Sequence, residues 1–249
     1  MVEPWMTPVV ARQPYPLVFV TLSGAHLYGF ASADSDFDLR GMHVLPPREV
    51  LGLNAPRETI EWSGLEDGRE VDLVSHDAAK FVRMMLKRNG YVLEQLHSPL
   101  VVHTTPEHAA LRALGKACVT RHHAHHYLGF AETQWRLFEK ATPRRIKPLL
   151  CVYRVLMTGI HLMHTGEIDA NLSILNESHR LAHVAELIAQ KRGGGEQDTL
   201  PEGDFSFHER EYARLTAMLH AAQEASTLPE ATVAKAGFNE LLLRLRGVV

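Results

Sequence analysis

The chain has 249 residues, of which 45% are hydrophobic and 22% charged, and its formal net charge at pH 7 is −3. This composition excludes a disordered or fibrous protein, and the near-neutral charge means that nucleic-acid binding would require a local basic patch. Two cysteines are too few for a disulfide framework, the N-terminal "MVEPWMTPVV" has no secretory pattern, and no apolar run approaches membrane-spanning length. We therefore expect a soluble, cytoplasmic protein without a membrane partner.

The first part of the chain predicts alternating strands and short helices. "LVFVTL" (Leu17–Leu22) is a buried strand that ends at Ser23-Gly24, where "AHLYG" predicts a short helical turn. "DFDLRGMHV" (36–44) alternates as a second strand. After a polar loop around "SGLEDG", the segment "REVDLVSH" gives a third strand, and Asp77 is the expected N-cap of the helix that follows. "LVVHT" reads as a short edge strand.

From about residue 107 onward, helical patterns replace the strand signals. Helices are predicted over about 107–140, 145–166, 178–192, 208–225 and 230–246, and "KRGGGEQDTLPEGD" (191–204) is expected to be a solvated loop. The sequence thus predicts an α/β (α+β) fold: a mixed α/β domain over residues 1–106, followed by an all-helical domain over residues 107–249.

The segment "DSDFDLRG" (34–41) concentrates carboxylates. On a strand, Asp36 and Asp38 project from the same face, and Asp72 lies in another apolar strand, "EVDLV". Adjacent carboxylates disfavour each other's ionised form unless a cation joins them, and Mg²⁺ prefers such oxygen ligands. If the two strands are neighbours, the three acids converge into a site for two metal ions. A D-x-D pair alone is a weak signal, because exposed acids on a strand are often only solvated.

The glycines before the acids suggest an anion site. Gly24 lies where a strand ends and a helix begins, so free backbone N–H groups there suit a triphosphate. Isolated glycines in turns are common, so "SGAHLYG" alone is also weak. The order strand, glycine, helix, D-x-D strand and third acid is specific.

That order resembles the nucleotidyltransferase superfamily that includes DNA polymerase beta. "GAHLYGFASADSDFDLRG" (24–41) is similar to the pattern "GSxAYGxATPDSDxDxRG" of a predicted nucleotidyltransferase family found beside RNA-repair ligases. The likeness continues through "VLEQLHSP", "HYLGFAETQWRLF" and "RIKPLLCVYRVLMTGIHLMHTGEI", and covers most of residues 17–175.

The resemblance implies a nucleotidyltransferase-like mixed sheet with flanking helices. It implies that Asp36, Asp38 and Asp72 are the catalytic residues and the ligands of two Mg²⁺ ions, with Mn²⁺ as a substitute, and that Asp72 draws the proton from an acceptor hydroxyl. The nucleotide-binding residues would be Ser23, Gly24, Ala25, Arg40, Lys147 and Arg154. The family's serine after Gly24 is Ala25 here.

Several of these residues have a structural alternative. Lys147, Arg154 and His161 recur every seven residues, so they share one helix face, which either grips phosphates or is a solvated basic face. Arg40 either binds phosphate or forms an ion pair with Asp36 or Asp38. Tyr127 either contacts a base or sugar or is simply packed.

The histidines of "RHHAHHY" offer a weaker metal hypothesis. His122 and His126 are spaced i, i+4 on a predicted helix, which suits two zinc ligands, but no acidic third ligand follows at matching spacing. Ordinary surface or core histidines are the favoured interpretation.

The sequence predicts an enzyme that uses an NTP, such as ATP, to transfer a nucleoside monophosphate to a hydroxyl of an RNA end or a protein, in RNA repair. The alternative is a catalytically impaired nucleotide-binding or sensing module in an RNA-repair or regulatory complex, which Ala25 favours.

Overall fold

A computed structural model of the protein describes residues 2–195 and 197–248. Its internal contacts group into two compact units. The first, the sheet unit, contains the residues up to Leu27, Asp36–Val119 and the residues from Ala231 onward; the second, the helical unit, contains Tyr28–Ser35 and Thr120–Glu230. The predicted domain boundary at residue 106 stays a prediction, since these units divide the chain at other positions.

The sheet unit contains a five-stranded mixed sheet. Its strands lie in the order β3-β4-β2-β1-β5, and β2 pairs with β4 in parallel while the other neighbours are antiparallel. The strands are β1 (Leu17–Leu22), β2 (Phe37–His43), β3 (Thr59–Glu66), β4 (Arg69–Asp77) and β5 (Val101–Thr104). The predicted mixed sheet is confirmed, with β5 at an edge as expected.

Strand β3 was not predicted, because its end was read as a polar loop. The structure instead forms a β3–β4 hairpin around Asp67 and Gly68, whose φ angles are 49° and 76°. Positive φ at both central residues is the geometry of the two-residue hairpin turns that favour Asp-Gly. The sequence carried this signal, but the polar side chains of an edge strand obscured it.

Helices flank the sheet and form the second unit. They are α1 (Met6–Val10), α2 (Gly24–Tyr28), α3 (Pro47–Val50), α4 (Ala78–Leu86), α5 (Gly90–His97), α6 (Pro106–Cys118), α7 (Ala124–Lys140), α8 (Ile146–Thr165), α9 (Leu172–His179), α10 (Ala182–Gly193), α11 (Phe205–Ala225) and α12 (Lys235–Leu245). As predicted, Asp77 caps α4, where its Oδ2 accepts a hydrogen bond of 2.9 Å from the Ala79 N–H. The single helix expected over 107–140 is interrupted after Cys118, and Thr120 caps a short 3₁₀ turn before α7.

One face of the sheet is buried against α1. Leu39 of β2 and Val71 and Leu73 of β4 belong to a core cluster that includes Met6 and Val9 of α1. Because side chains alternate along a strand, the residues between them, including Asp38 and Asp72, project from the other face. Packing on one side of the sheet therefore determines where the acidic side chains point.

Helix α8 is the centre of the helical unit. Fourteen of its 20 residues are buried, and it packs against α7, α9, α10 and α11. By length and composition α8 could cross a membrane, but 78% of its apolar window is buried inside the structure, as in the core helix of a globular protein.

Candidate active site

The register of two neighbouring strands brings the predicted acids together. In the parallel pair of β2 and β4, Asp38 is aligned with Asp72, and Asp36 lies one residue before β2 begins. Asp36 and Asp72 line the same cleft, which has a volume of about 400 Å³ and is also lined by Ser63, Gly64, Leu65, Glu70 and Val71. The neighbouring strands that the sequence argument required are therefore present.

Arg40 joins two of the three acids. Its Nη2 donates to Asp38 Oδ1 at 2.5 Å and to Asp72 Oδ2 at 2.8 Å. Nη1 donates to the backbone carbonyls of Leu39 at 3.0 Å and Asp72 at 2.7 Å, and Nε donates to Tyr91 Oη at 3.3 Å. The ion-pair alternative is thus the arrangement that Arg40 adopts in this structure.

Neighbouring groups stabilise the protonated form of the Arg40 guanidinium. Its side chain is only 12% exposed. Burial by itself would lower the pKa of the guanidinium, but Tyr91, Asp38 and Asp72 together raise that pKa above its ordinary value. The positive charge is therefore fixed between the carboxylates at any physiological pH.

Asp72 is oriented by a second side chain that the sequence argument missed. Ser63, directly opposite Asp72 on β3, donates from Oγ to Asp72 Oδ1 at 2.7 Å. Ser63 was missed because β3 itself was taken for a loop. Tyr91 was missed for a different reason, since a tyrosine near the start of a helix carries no local signal of a site.

Gly24 is required by close packing against Asp38. It has a φ of +59°, and a Cβ at this position would lie 1.9 Å from Asp38 Oδ2. Only glycine tolerates both the left-handed backbone and this approach. The glycine and the D-x-D pair are therefore parts of one arrangement in the sheet unit.

The residues on either side of Gly24 are buried. Ser23 is 1% exposed, and its Oγ has no hydrogen-bond partner within the described part of the chain. Ala25 is 2% exposed. A serine at position 25 would therefore place its hydroxyl in a buried environment. The role of Ser23, Gly24 and Ala25 in nucleotide binding stays a prediction.

Lys147 and Arg154 lie on α8 in the helical unit. Lys147 is half-buried, and Arg154 is 3% exposed with its guanidinium carbon 4.0 Å from the ring centre of Tyr28. The solvated-face alternative is therefore wrong for Arg154. Burial, followed by the charge of Arg154, lowers the pKa of His126 to about 4. Phosphate binding by Lys147 and Arg154 stays a prediction.

Tyr127 is packed in the core of the same unit. It is 1% exposed, and its Cβ lies 2.9 Å from the position that a Cβ on Gly159 would occupy. The packing alternative describes Tyr127 in this structure, since its ring is enclosed where α7 crosses α8.

The loop that precedes Asp36 is anchored by a buried lysine. Lys191 is fully buried, and its Nζ donates to Ser32 Oγ, which also donates to Asp34 Oδ1 at 2.6 Å. Arg192 Nη2 donates to the Gly29 carbonyl at 2.5 Å. Lys191 and Arg192 lie where the predicted helix 178–192 overlaps the predicted solvated loop 191–204. The structure places them in the last turn of α10, which continues to Gly193, so the loop prediction is wrong for these two residues.

The histidine cluster has other partners than a metal. His122 Nε2 lies 2.6 Å from Glu230 Oε2, and its ring stacks on His125 with centroids 5.8 Å apart. Over residues 2–195 and 197–248, no group of three or more His, Cys, Asp or Glu side chains is arranged to hold a metal ion. This statement includes Asp36, Asp38 and Asp72 of the sheet unit, of which Arg40 bridges Asp38 and Asp72.

Comparison with known sequences assigns the family. The sequence profile of the RNA repair pathway DNA polymerase beta family, RlaP, matches residues 2–244. The chain belongs to this family. Membership supports a nucleotidyltransferase-type enzyme at a coarse level, as the resemblance in residues 24–41 implied.

Similar proteins include two whose names assign no function. Uncharacterized protein MJ0002 of Methanocaldococcus jannaschii is 31% identical over 157 residues, covering 63% of this chain and 64% of that protein, so this chain spans just under two thirds of its length. Uncharacterized protein YcgL of Bacillus subtilis is 26% identical over 218 residues, covering 84% and 82%. A nucleotidyltransferase-like protein from Exiguobacterium sibiricum aligns in structure with 13% identity over 98% of this chain and 75% of its own, with a TM-score of 0.33.

The divalent metal that the resemblance in residues 24–41 implies can be tested against the donor set. Asp36, Asp38 and Asp72 offer the hard carboxylate oxygens that Mg²⁺ prefers; Asp38 and Asp72 are paired on adjacent strands, and Asp36 and Asp72 line one cleft. The guanidinium between Asp38 and Asp72 shows that this position favours a positive charge. The donor atoms of these residues therefore fit the metal in their chemistry, and Arg40 is the cation that Asp38 and Asp72 bind in this structure.

Proposed function

We propose that this RlaP-family protein is a Mg²⁺-dependent nucleotidyltransferase, which transfers a nucleoside monophosphate from an NTP to a hydroxyl acceptor and releases pyrophosphate. The observation that carries the proposal is the alignment of Asp38 with Asp72 on parallel strands, with Asp36 lining the same cleft as Asp72. Family membership supplies the reaction class.

Each residue would have a distinct role. Asp36, Asp38 and Asp72 would hold the two metal ions, which when bound would stabilise negative charge on the phosphoryl oxygens. Asp72, oriented by the hydrogen bond from Ser63, would accept the proton of the acceptor hydroxyl. Gly24 lies where β1 ends and α2 begins, so the backbone N–H groups that follow it would approach the nucleotide phosphates.

An RNA end is the acceptor to test first, because the family is described as part of an RNA repair pathway. The cleft itself carries Asp36, Glu70 and Asp72, and in the part of the chain that the structure describes no basic side chain lines it. An RNA backbone would therefore be held mainly by residues outside this cleft, whereas a protein hydroxyl would need no such cations.

The proposal is tested by incubating the protein with each α-³²P-labelled NTP and Mg²⁺, with and without mixed RNA. Wild type should transfer label to RNA or to protein, whereas Asp36→Ala/Asp38→Ala should transfer none. Glu61→Ala, which removes an exposed carboxylate from neighbouring β3, is the matched control and should retain transfer. Transfer by the double variant, or by neither protein with any nucleotide, would contradict the proposed activity.

A second candidate is a nucleotide-sensing module that has lost turnover. The buried Ala25, where the family pattern has a serine, is the observation that favours it. Asp72→Asn separates the two: an enzyme should lose transfer while still binding nucleotide. A sensor should bind nucleotide in both forms and transfer no label in either.

A further inference from the structure

We propose that Arg40 is a built-in cation that competes with the divalent metal for Asp38 and Asp72, so that metal binding requires its Nη2 group to release both carboxylates. This inference rests on the metal site of the proposed function. It concerns the metal-free protein, and it assigns Arg40 to the carboxylates instead of the nucleotide phosphates.

All the N–H groups of the Arg40 guanidinium donate hydrogen bonds. A guanidinium has five N–H groups, and Arg40 has five acceptors: Tyr91 Oη, the carbonyls of Leu39 and Asp72, and one oxygen each of Asp38 and Asp72. Every donor is therefore already used inside the sheet unit. Binding a phosphate would cost one of these bonds, so Arg40 is poorly placed as a primary phosphate ligand.

The positive charge of Arg40 lies between the carboxylates of Asp38 and Asp72. Nη2 lies within hydrogen-bonding distance of both carboxylates, at 2.5 Å and 2.8 Å, on a side chain that is 12% exposed. A cation this close to partly enclosed carboxylates repels a second cation and uses the oxygen lone pairs that a metal would need. Asp38 has little freedom to turn elsewhere, because its Oδ2 is packed against Gly24.

Arg40 has three further hydrogen bonds that can hold its side chain in place after Nη2 releases the carboxylates. Only the two Nη2 bonds go to carboxylates; the other three go to two backbone carbonyls and to Tyr91. These three anchors can persist when Nη2 withdraws. Arg40 would then keep β2 and β4 aligned while the acids change partner.

Binding of Mn²⁺ in the absence of nucleotide, measured by electron paramagnetic resonance and by calorimetry, tests this. Removing one positive charge at this distance should tighten Mn²⁺ binding by about tenfold or more in Arg40→Gln. Arg40→Lys keeps the charge but cannot satisfy all five acceptors, so its affinity should lie between those of wild type and Arg40→Gln. Arg83→Gln, which removes an exposed arginine paired with Glu58 on the same unit, should bind as wild type does.

A rescue measurement guards against a folding artefact. Methylguanidinium should weaken Mn²⁺ binding to Arg40→Ala, because it can re-enter the vacated position, and it should have little effect on wild type. If Arg40→Gln melts too low to assay, tighter binding by Arg40→Lys than by wild type supports the proposal, and equal or weaker binding overturns it.

The outcomes also separate this inference from the proposed enzyme. Unchanged or weaker Mn²⁺ binding by a folded Arg40→Gln, with binding abolished by Asp38→Asn, would overturn the competition and leave the metal site. Absence of Mn²⁺ binding in both wild type and Arg40→Gln would overturn both proposals. Tighter binding by Arg40→Gln without nucleotidyl transfer by wild type would support the role of Arg40 and contradict the enzyme.

Discussion

The position of the Asp38 carboxylate requires a glycine at position 24. In the sequence they are 14 positions apart, and each belongs to a weak motif. In the structure, Asp38 Oδ2 occupies the space that a Cβ on Gly24 would need. The glycine therefore supports the orientation of a candidate metal ligand, in addition to giving the backbone a left-handed turn.

Replacing Gly24 with alanine tests this pairing. The left-handed backbone alone should cost about 1–2 kcal/mol of stability, and the added Cβ should also displace the Asp38 carboxylate. Gly68→Ala is a matched control, because Gly68 has a φ of +76° but its Cβ would meet no atom within 4 Å in the described part of the chain. Chemical unfolding measures the first effect, and Mn²⁺ binding measures the second.

Both variants should lose similar stability from the backbone, whereas only Gly24→Ala should lose Mn²⁺ binding. Retained Mn²⁺ affinity in Gly24→Ala would mean that Asp38 adjusts without consequence, and the packing argument would then be wrong. Loss of Mn²⁺ binding in Gly68→Ala would indicate a general effect of instability.

At the scale of elements, the sequence predicted the strands whose patterns are local. β1, β2 and β4 have apolar or alternating residues, and the approach of Asp38 to Asp72 followed once β2 and β4 were neighbours. β3 was missed because it is an edge strand on which three of eight residues are exposed and none is fully buried, so no buried pattern marks it. The five bonds of Arg40 could not be predicted, since they depend on strand register and on Tyr91 from a distant helix.

In the helical unit, the burial of Lys191 at the end of α10 also could not be predicted from local sequence. Lys191 stands before a glycine run, and composition favoured a loop, yet the side chain is fully buried and donates to Ser32. Burial of a lysine depends on a partner far along the chain, here 159 positions away. Local composition carries no information about such a partner.

Lys191→Met should therefore weaken the loop formed by residues 28–35. The aliphatic stem is largely preserved, but Ser32 loses a buried donor, and we expect a loss of about 2 kcal/mol in unfolding free energy. Hydrogen exchange should accelerate at the Ser35 amide, which donates to the Ser32 carbonyl at 3.1 Å. Lys140→Met, at an exposed position on α7, is the control and should change stability by less than about 0.5 kcal/mol. Unchanged exchange in Lys191→Met would show that the loop is held by its other contacts.

The stability of the folded protein depends on pH because several of its histidines are buried or half-buried. Burial is the largest cause of a lowered pKa at seven of them: His43, His76, His108, His126, His179, His183 and His208. For His76 and His126 the pKa falls from 6.5 to about 4. The folded protein therefore keeps these rings neutral at pH values where the unfolded chain binds protons.

The sign of the effect follows from proton linkage. Below about pH 6.5 the unfolded state binds more protons than the folded state, so the unfolding free energy falls as pH falls, until the folded pKa near 4 is reached. We expect urea unfolding midpoints to be highest near pH 7 and to decrease steadily toward pH 5. His76→Gln removes one of these groups, so its midpoint should decrease less over the same interval. Burial and the nearby charges of Lys80 and Arg40 disfavour protonation of His76 in the folded protein. An identical pH dependence of stability in His76→Gln and wild type would contradict this, because it would mean that His76 binds its proton equally well in the folded and unfolded states.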